Sequence, residues 1–235
     1  MEVYMRDTKR GFESISLMYA CVVFLPILAT VAFFRVVTLD VPTGLRTGVP
    51  FAVYGASSWI VIILGRVALK KRTLGWKDVG FTRFKARELL YGFIGALIGI
   101  FLVYPLSAFI VAKTGIPPMK GMGYQLSSLP EIVFLVVLNV FVVTLAEDIL
   151  FRGYLLSHTL AKTKHRVVTA AIGVVVFSVV HIPYFSWGGL VFIALWSPIT
   201  VALYLWRKNI YASYFMHVVN NAFAYIAVPL LFTAS

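Results

Sequence analysis

Long apolar segments, separated by short polar or basic segments, make up most of the chain. Seven of them can be distinguished, at about residues 14–34, 50–69, 89–112, 130–162, 167–181, 190–206 and 210–232. A helix that crosses a bilayer needs about 20 apolar residues, whereas the strands of a membrane barrel are shorter and alternate in polarity. The pattern therefore predicts an all-α fold, a polytopic membrane helical bundle of about seven transmembrane helices.

Composition and charge agree with a membrane protein. Hydrophobic residues are 60% of the 235 residues and charged residues 13%, whereas a soluble domain has about half and about a quarter. A net charge of +12 would suggest nucleic-acid binding in a soluble protein. Here most Lys and Arg residues lie in loops that alternating helices place on one side of the membrane, which predicts a cytoplasmic amino terminus. We expect an integral protein of the cell membrane that contacts lipids and binds no nucleic acid.

Two segments divide the chain. A basic connector covers residues 66–87, and a segment rich in Gly and Pro covers residues 113–129. We expect an N-terminal transmembrane region over residues 1–129, with three spans and the basic connector on the cytoplasmic side, and a four-helix core over residues 130–235. The tryptophans, Trp196 among them, are expected in the aromatic belts at the membrane surfaces and among the lipid-facing side chains, rather than in a ligand cage.

Two acids and an arginine interrupt the fourth apolar segment. Charged groups inside a bilayer are costly, so Glu147 and Asp148 are candidates for function. Asp148 lies four residues before Arg152, the favoured order for an ion pair on one helix face. Glu147 points about 100° away from Asp148 and can face another helix. The alternative is that the helix ends near Leu150 and the three charges form an ordinary solvated helix end.

Histidines on two later helices can meet Glu147. The polar segment 162–166 predicts a helical hairpin that reverses near residue 164, and Glu147 and His181 lie equally far from that point, so they reach the same depth. His217 and Asn221 are four residues apart and share one helix face. A buried carboxylate can activate water, while a histidine and an amide can stabilise an oxyanion. Taken singly, His181 could be an interfacial histidine, and His217 with Asn221 could be hydrogen-bond links between helices.

The polar residues form three short motifs in a fixed order. The motifs are Glu147-Asp148-Ile-Leu-Phe-Arg152, Phe177-x-x-x-His181 and His217-x-x-x-Asn221. In order and spacing they resemble the CAAX protease and bacteriocin-processing (CPBP, Abi) family of intramembrane endopeptidases, across roughly residues 130–225. The zinc-protease motif, two histidines four residues apart with a Glu between them, is absent from the sequence.

The resemblance implies roles for these residues. Glu147 and His181 would activate water, and His217 and Asn221 would stabilise the oxyanion. Arg152 would hold the first motif in place, with Asp148 and Phe177 in supporting positions. Asp148 is a departure, because the family usually has a second Glu there. If Asp148 only pairs with Arg152, the shorter side chain should be tolerated; if it contacts water or substrate, activity is affected.

The resemblance implies an intramembrane endopeptidase of the CAAX-protease type, with residues 130–235 as its catalytic core. It would hydrolyse a peptide bond in a prenylated or membrane-associated peptide or protein, without a metal or other cofactor. One alternative is a catalytically inactive family member that acts as a membrane scaffold or regulates a partner protein. A proton-coupled transporter and a metalloprotease with Glu147, His181 and His217 as ligands are further alternatives.

Overall fold

The computed structural model describes residues 75–119 and 136–228, together with Val133 and single positions of a helical segment between residues 55 and 70. The predicted first span, at about residues 14–34, lies outside the described residues, as do parts of the second span and the start of the fourth. The number of seven spans therefore stays a prediction. The division of the chain at residues 129 and 130 also stays a prediction.

All regular secondary structure in the described residues is helical, so the all-α fold class is confirmed there. A 3-10 turn, Trp76–Val79, precedes the long helices. The long helices are α1, Ala86–Thr114; α2, residues 136–163; α3, Arg166–Val179; α4, Ile182–Arg207; and α5, Ile210–Ala222, which continues as the π-helix Phe223–Ala227.

Two of the described helices are long and apolar enough to cross a membrane, judged by length and composition. They are α1 and the part of α4 that covers Phe185–Arg207. Large apolar side chains such as Phe101, Leu102 and Phe109 project outward from α1 and are more than half exposed. Such a surface suits contact with lipid, where there is no water to penalise it.

Helix α2 continues through the charged residues without a break. It contains two π-helical stretches, Val136–Val143 and Asp148–Leu156. Glu147, Asp148 and Arg152 are only 7%, 0% and 1% exposed. The charges therefore lie in the middle of a buried helix, and the alternative of a solvated helix end near Leu150 is wrong. π-helical turns inside longer helices are frequent at functional sites.

Residues 182–189, which separate the fifth and sixth apolar segments, are helical on both sides of a kink. Helix α4 begins at Ile182, and its backbone leaves the helical conformation at Ser186, where φ is 62° and ψ −173°, so that a kink separates its first turn from its longer part. The glycines of this segment serve close packing: a Cβ on Gly188 would lie 2.5 Å from the backbone oxygen of Pro117 and the backbone nitrogen of Met119. Glycine there lets the start of α4 approach the segment after α1.

Helix α1 packs against α5, and its glycines allow the close approach. A Cβ on Gly92 would lie 2.6 Å from the backbone oxygen of Ala212. Small residues at helix contacts are a general means of packing helices in membranes. Glu88 at the start of α1 also receives two hydrogen bonds, of 3.0 and 2.8 Å, from Arg207 at the end of α4. Helix α1 therefore contacts the four-helix core across the predicted boundary.

Candidate active site

Three helical segments bring an acid and two histidines together. Glu147 lies on α2, His181 directly precedes α4, and His217 lies on α5. The Oε1 atom of Glu147 is 3.8 Å from Nε2 of His181, and its Oε2 atom is 3.6 Å from Nε2 of His217. All three side chains are largely buried. The structure thus brings together one residue from each of the three motifs.

The hydrogen bonds at Nδ1 determine which ring nitrogen of each histidine carries the proton. Nδ1 of His181 lies 2.6 Å from the backbone oxygen of Phe177. Nδ1 of His217 lies 2.8 Å from Oδ2 of Asp148. A carbonyl and a carboxylate oxygen can only accept, so each Nδ1 donates. In the neutral rings Nε2 is then an acceptor, and both Nε2 atoms face Glu147.

Three hydrogen-bond acceptors therefore converge on one point. The carboxylate of Glu147 cannot receive a hydrogen bond from an unprotonated Nε2, and distances of 3.6 and 3.8 Å are too long for a direct hydrogen bond. A water molecule that donates one hydrogen to each of two acceptors is one way in which such groups are linked in proteins. Chemically, the arrangement suits a water molecule or a proton shared among the three groups.

Asp148 and Arg152 form a second, fully buried pair next to this point. Oδ1 of Asp148 lies 3.5 Å from Nε of Arg152, four residues later on α2. The Cζ atom of Arg152 lies 4.0 Å from the centre of the Phe177 ring. A buried arginine charge is stabilised both by the carboxylate and by the aromatic face. The ion pair expected from the spacing is present, and Asp148 has a second partner in His217.

Asn221 lies one turn beyond His217 on α5, and its side chain contacts Thr144 on α2. Its Nδ2 atom donates to the hydroxyl of Thr144 at 2.8 Å. The hydroxyl of Thr144 donates in turn to the backbone oxygen of Asn139 at 2.9 Å. One of the two amide hydrogens of Asn221 is therefore engaged in a hydrogen bond to Thr144. Thr144 was not among the residues that the motifs singled out.

Aromatic rings enclose the histidines. His181 stacks on Phe185 with ring centres 5.8 Å apart and planes 13° apart, and its ring centre is 4.4 Å from that of Phe177. Trp196 lies 4.9 Å from His217 by ring centres. Trp196 is only 3% exposed, so the expectation that it faces lipid is wrong. It faces the site because the inner side of α4 packs against α3 and α5.

Helix α4 contributes one further polar group that the sequence did not indicate. Arg152 donates from a terminal guanidinium nitrogen to the hydroxyl of Thr200 at 2.8 Å. Thr200 is fully buried, and its only signal in the sequence is a hydroxyl in an apolar segment. A single Thr in such a segment is common and carries little information.

The described apolar helices thus enclose an acid, two histidines and a buried ion pair, and acids and histidines are the side chains that most often transfer protons in proteins. Residues 129–223 match the family model described as Rce1-like, type II CAAX prenyl endopeptidase. The match covers somewhat under half of the chain, and it confirms the resemblance to the CAAX protease family seen in the three motifs. The family consists of membrane-embedded proteases that act on peptide or protein substrates. No curated protein and no solved structure matches the chain.

Proposed function

We propose that this protein is an intramembrane endopeptidase in which Glu147 activates a water molecule for attack on a peptide bond. The observation that supports this most directly is the convergence of the Glu147 carboxylate and two Nε2 atoms at 3.6 and 3.8 Å. A water molecule there could donate one hydrogen to the carboxylate and one to a histidine. Glu147 would take the proton as the water attacks the carbonyl carbon, and His181 would orient the water.

The oxyanion that forms during the attack needs hydrogen-bond donors. We assign this role to His217 and Asn221. His217 can donate from Nε2 only when it carries a second proton, and the Asp148 carboxylate at Nδ1 would balance that positive charge. Asn221 has one amide hydrogen engaged by Thr144, which leaves the other to point at the substrate. The proton taken by Glu147 would then pass to the leaving amine.

The setting of the reaction is part of the proposal. The substrate would be a prenylated or otherwise membrane-associated peptide or protein, cleaved without a metal or other cofactor. Residues 130–235 would form the catalytic core, beside an N-terminal transmembrane region over residues 1–129. About seven helices would span the cell membrane with the amino terminus in the cytoplasm, as the distribution of basic residues favours.

The test is cleavage of quenched fluorescent peptides by the purified protein in detergent, with prenylated and unprenylated versions of each peptide. Glu147→Gln keeps the shape of the side chain but cannot take a proton. We expect it to lower kcat by at least about 100-fold while the melting temperature stays near that of the parent. Asp78→Asn, which changes an acid in the 3-10 turn before α1, is the control and should cleave normally.

Three results would contradict parts of this proposal. Cleavage that is unaffected by Glu147→Gln would remove Glu147 from the role of base. Cleavage that strong chelators abolish and zinc restores would favour the metalloprotease with Glu147, His181 and His217 as ligands. Absence of cleavage across all peptides, with a folded parent protein, would favour the inactive scaffold.

A further inference from the structure

Helix α4 carries none of the three motifs, yet two of its side chains lie against the candidate site. Trp196 and Thr200 are four residues apart, so they share one face of the helix. They are 3% and 0% exposed. One contacts the ring of His217 and the other contacts Arg152. This face of α4 therefore joins the first motif to the third.

The hydroxyl of Thr200 is oriented as an acceptor for Arg152. Its one proton is donated to the backbone oxygen of Ser197 at 3.0 Å. The lone pairs of Oγ1 are then left to receive the hydrogen bond from Arg152 at 2.8 Å. A valine at this position would have nearly the same shape but no acceptor.

Arg152 needs such contacts because its side chain is long and has many rotamers. Its guanidinium is held by the hydroxyl of Thr200, by the face of Phe177 at 4.0 Å and, more distantly, by the ring of Trp196 at 5.8 Å. These contacts fix the direction in which Nε meets Oδ1 of Asp148 at 3.5 Å. The contacts come from α3 and α4, so the position of Arg152 depends on both helices.

The position of Arg152 affects His217 through Asp148. The other oxygen of Asp148 receives the hydrogen bond from Nδ1 of His217, and Trp196 packs against the same imidazole at 4.9 Å. If Arg152 moved, the Asp148 carboxylate would be free to rotate and would no longer hold one tautomer of His217. Nε2 of His217 would then no longer be presented reliably to Glu147.

We propose that Thr200, together with Trp196, is a positioning residue of the active site. It fixes Arg152, so that Asp148 holds His217 in the tautomer and orientation that face Glu147. The inference rests on the proposed proteolytic function for its kinetic consequences, but the tautomer of His217 can be measured without any substrate. Because Thr200 lies behind Arg152, its loss should lower kcat and leave KM nearly unchanged.

The experiment compares Thr200→Val with Thr200→Ser, which restores the hydroxyl. Thr169→Val is the matched control, since Thr169 is an equally buried threonine whose hydroxyl forms hydrogen bonds within the α2–α3 hairpin. Each variant is assayed for kcat and KM, and for the ring-nitrogen NMR signals of isotope-labelled histidine in detergent. The His217 signals are identified by their loss in His217→Gln.

We expect Thr200→Val to lower kcat about 10-fold with KM within about a factor of two, and to shift the His217 signals. Thr200→Ser and Thr169→Val should behave like the parent. Unchanged His217 signals in a folded Thr200→Val protein would overturn the inference, as would equal losses in Thr200→Val and Thr169→Val. If Thr200→Val does not fold, Trp196→Phe is measured in its place. Unchanged His217 signals in a folded Trp196→Phe protein would also overturn the inference.

The NMR readout separates this inference from the proposed function. A parent protein that cleaves no peptide, but whose His217 signals shift in Thr200→Val and not in Thr200→Ser, would contradict the proteolytic function and support the positioning role. A parent protein that cleaves peptides, but whose His217 signals and kcat are unchanged in Thr200→Val, would support the proteolytic function and contradict the positioning role.

Discussion

Oδ2 of Asp148 lies 2.8 Å from Nδ1 of His217, on a different helix. The same carboxylate reaches Arg152 with its other oxygen at 3.5 Å, and no part of Asp148 is exposed. The motif spacing left open whether this acid only pairs with Arg152. In the structure it has a second partner, which is one of the two imidazoles facing Glu147. A buried acid behind an imidazole commonly fixes its tautomer and balances its charge.

Asp148→Asn should therefore reduce activity strongly while preserving the shape of the site. The amide of asparagine carries no charge, so it would no longer balance the positive charge that His217 carries when it donates from Nε2. We expect kcat to fall by about 100-fold to 10,000-fold, the range seen when the orienting acid of a histidine is neutralised. Peptide cleavage by the purified variant measures this. A kcat within about threefold of the parent would show that Asp148 does not control His217.

Asp148→Glu restores the residue that the family usually has at this position. Had Asp148 paired with Arg152 alone, this variant would be expected to equal or exceed the parent. The described geometry predicts a loss, because an extra methylene in a fully buried site costs about 1–3 kcal/mol of stability and displaces the 2.8 Å contact to His217. Cleavage rates and thermal melting in detergent measure the two effects. Activity equal to or above the parent would show that the site adjusts to the longer acid.

The meeting of Glu147 and His181 could be predicted because helix geometry is regular. Each residue adds about 1.5 Å along a helix, so equal distances from the reversal near residue 164 imply equal depth. The structure turns at Lys164 and His165, between α2 and α3, and places the two side chains within 3.8 Å. The pairing of Asp148 with Arg152 followed from the same periodicity.

The contacts made by Thr144, Trp196 and Thr200 could not be predicted in this way. Each depends on how far a helix is rotated about its axis and at what angle it crosses its neighbour, and an apolar helix surface leaves both undetermined. The packing at Gly188 could not be predicted for a related reason. A glycine between two apolar segments is typical of a loop, but in the structure Gly188 packs closely against Pro117 and Met119.

Thr144→Val tests whether the orientation of Asn221 matters. The substitution keeps the buried shape but removes the acceptor for Nδ2 of Asn221 and the donor to the backbone oxygen of Asn139. We expect kcat to fall about 3-fold to 10-fold, in line with the loss of one intramolecular hydrogen bond, with a larger effect on kcat than on KM. Thr144→Ser should restore most of the activity. Equal activity of the valine and serine variants would mean that Asn221 is oriented by other contacts.

Gly92→Ala tests the packing of α1 on α5. Inside an isolated helix alanine is favoured over glycine by about 1 kcal/mol, so without the helix contact the variant should be at least as stable as the parent. The added Cβ would lie 2.6 Å from the backbone oxygen of Ala212, and the helices must move apart. We expect a net loss of about 1–3 kcal/mol, seen as a lower melting temperature in detergent. Gly75→Ala is the control, because the nearest atom to its Cβ is 3.9 Å away. A melting temperature for Gly92→Ala at or above that of the parent would show that α1 does not approach α5 this closely.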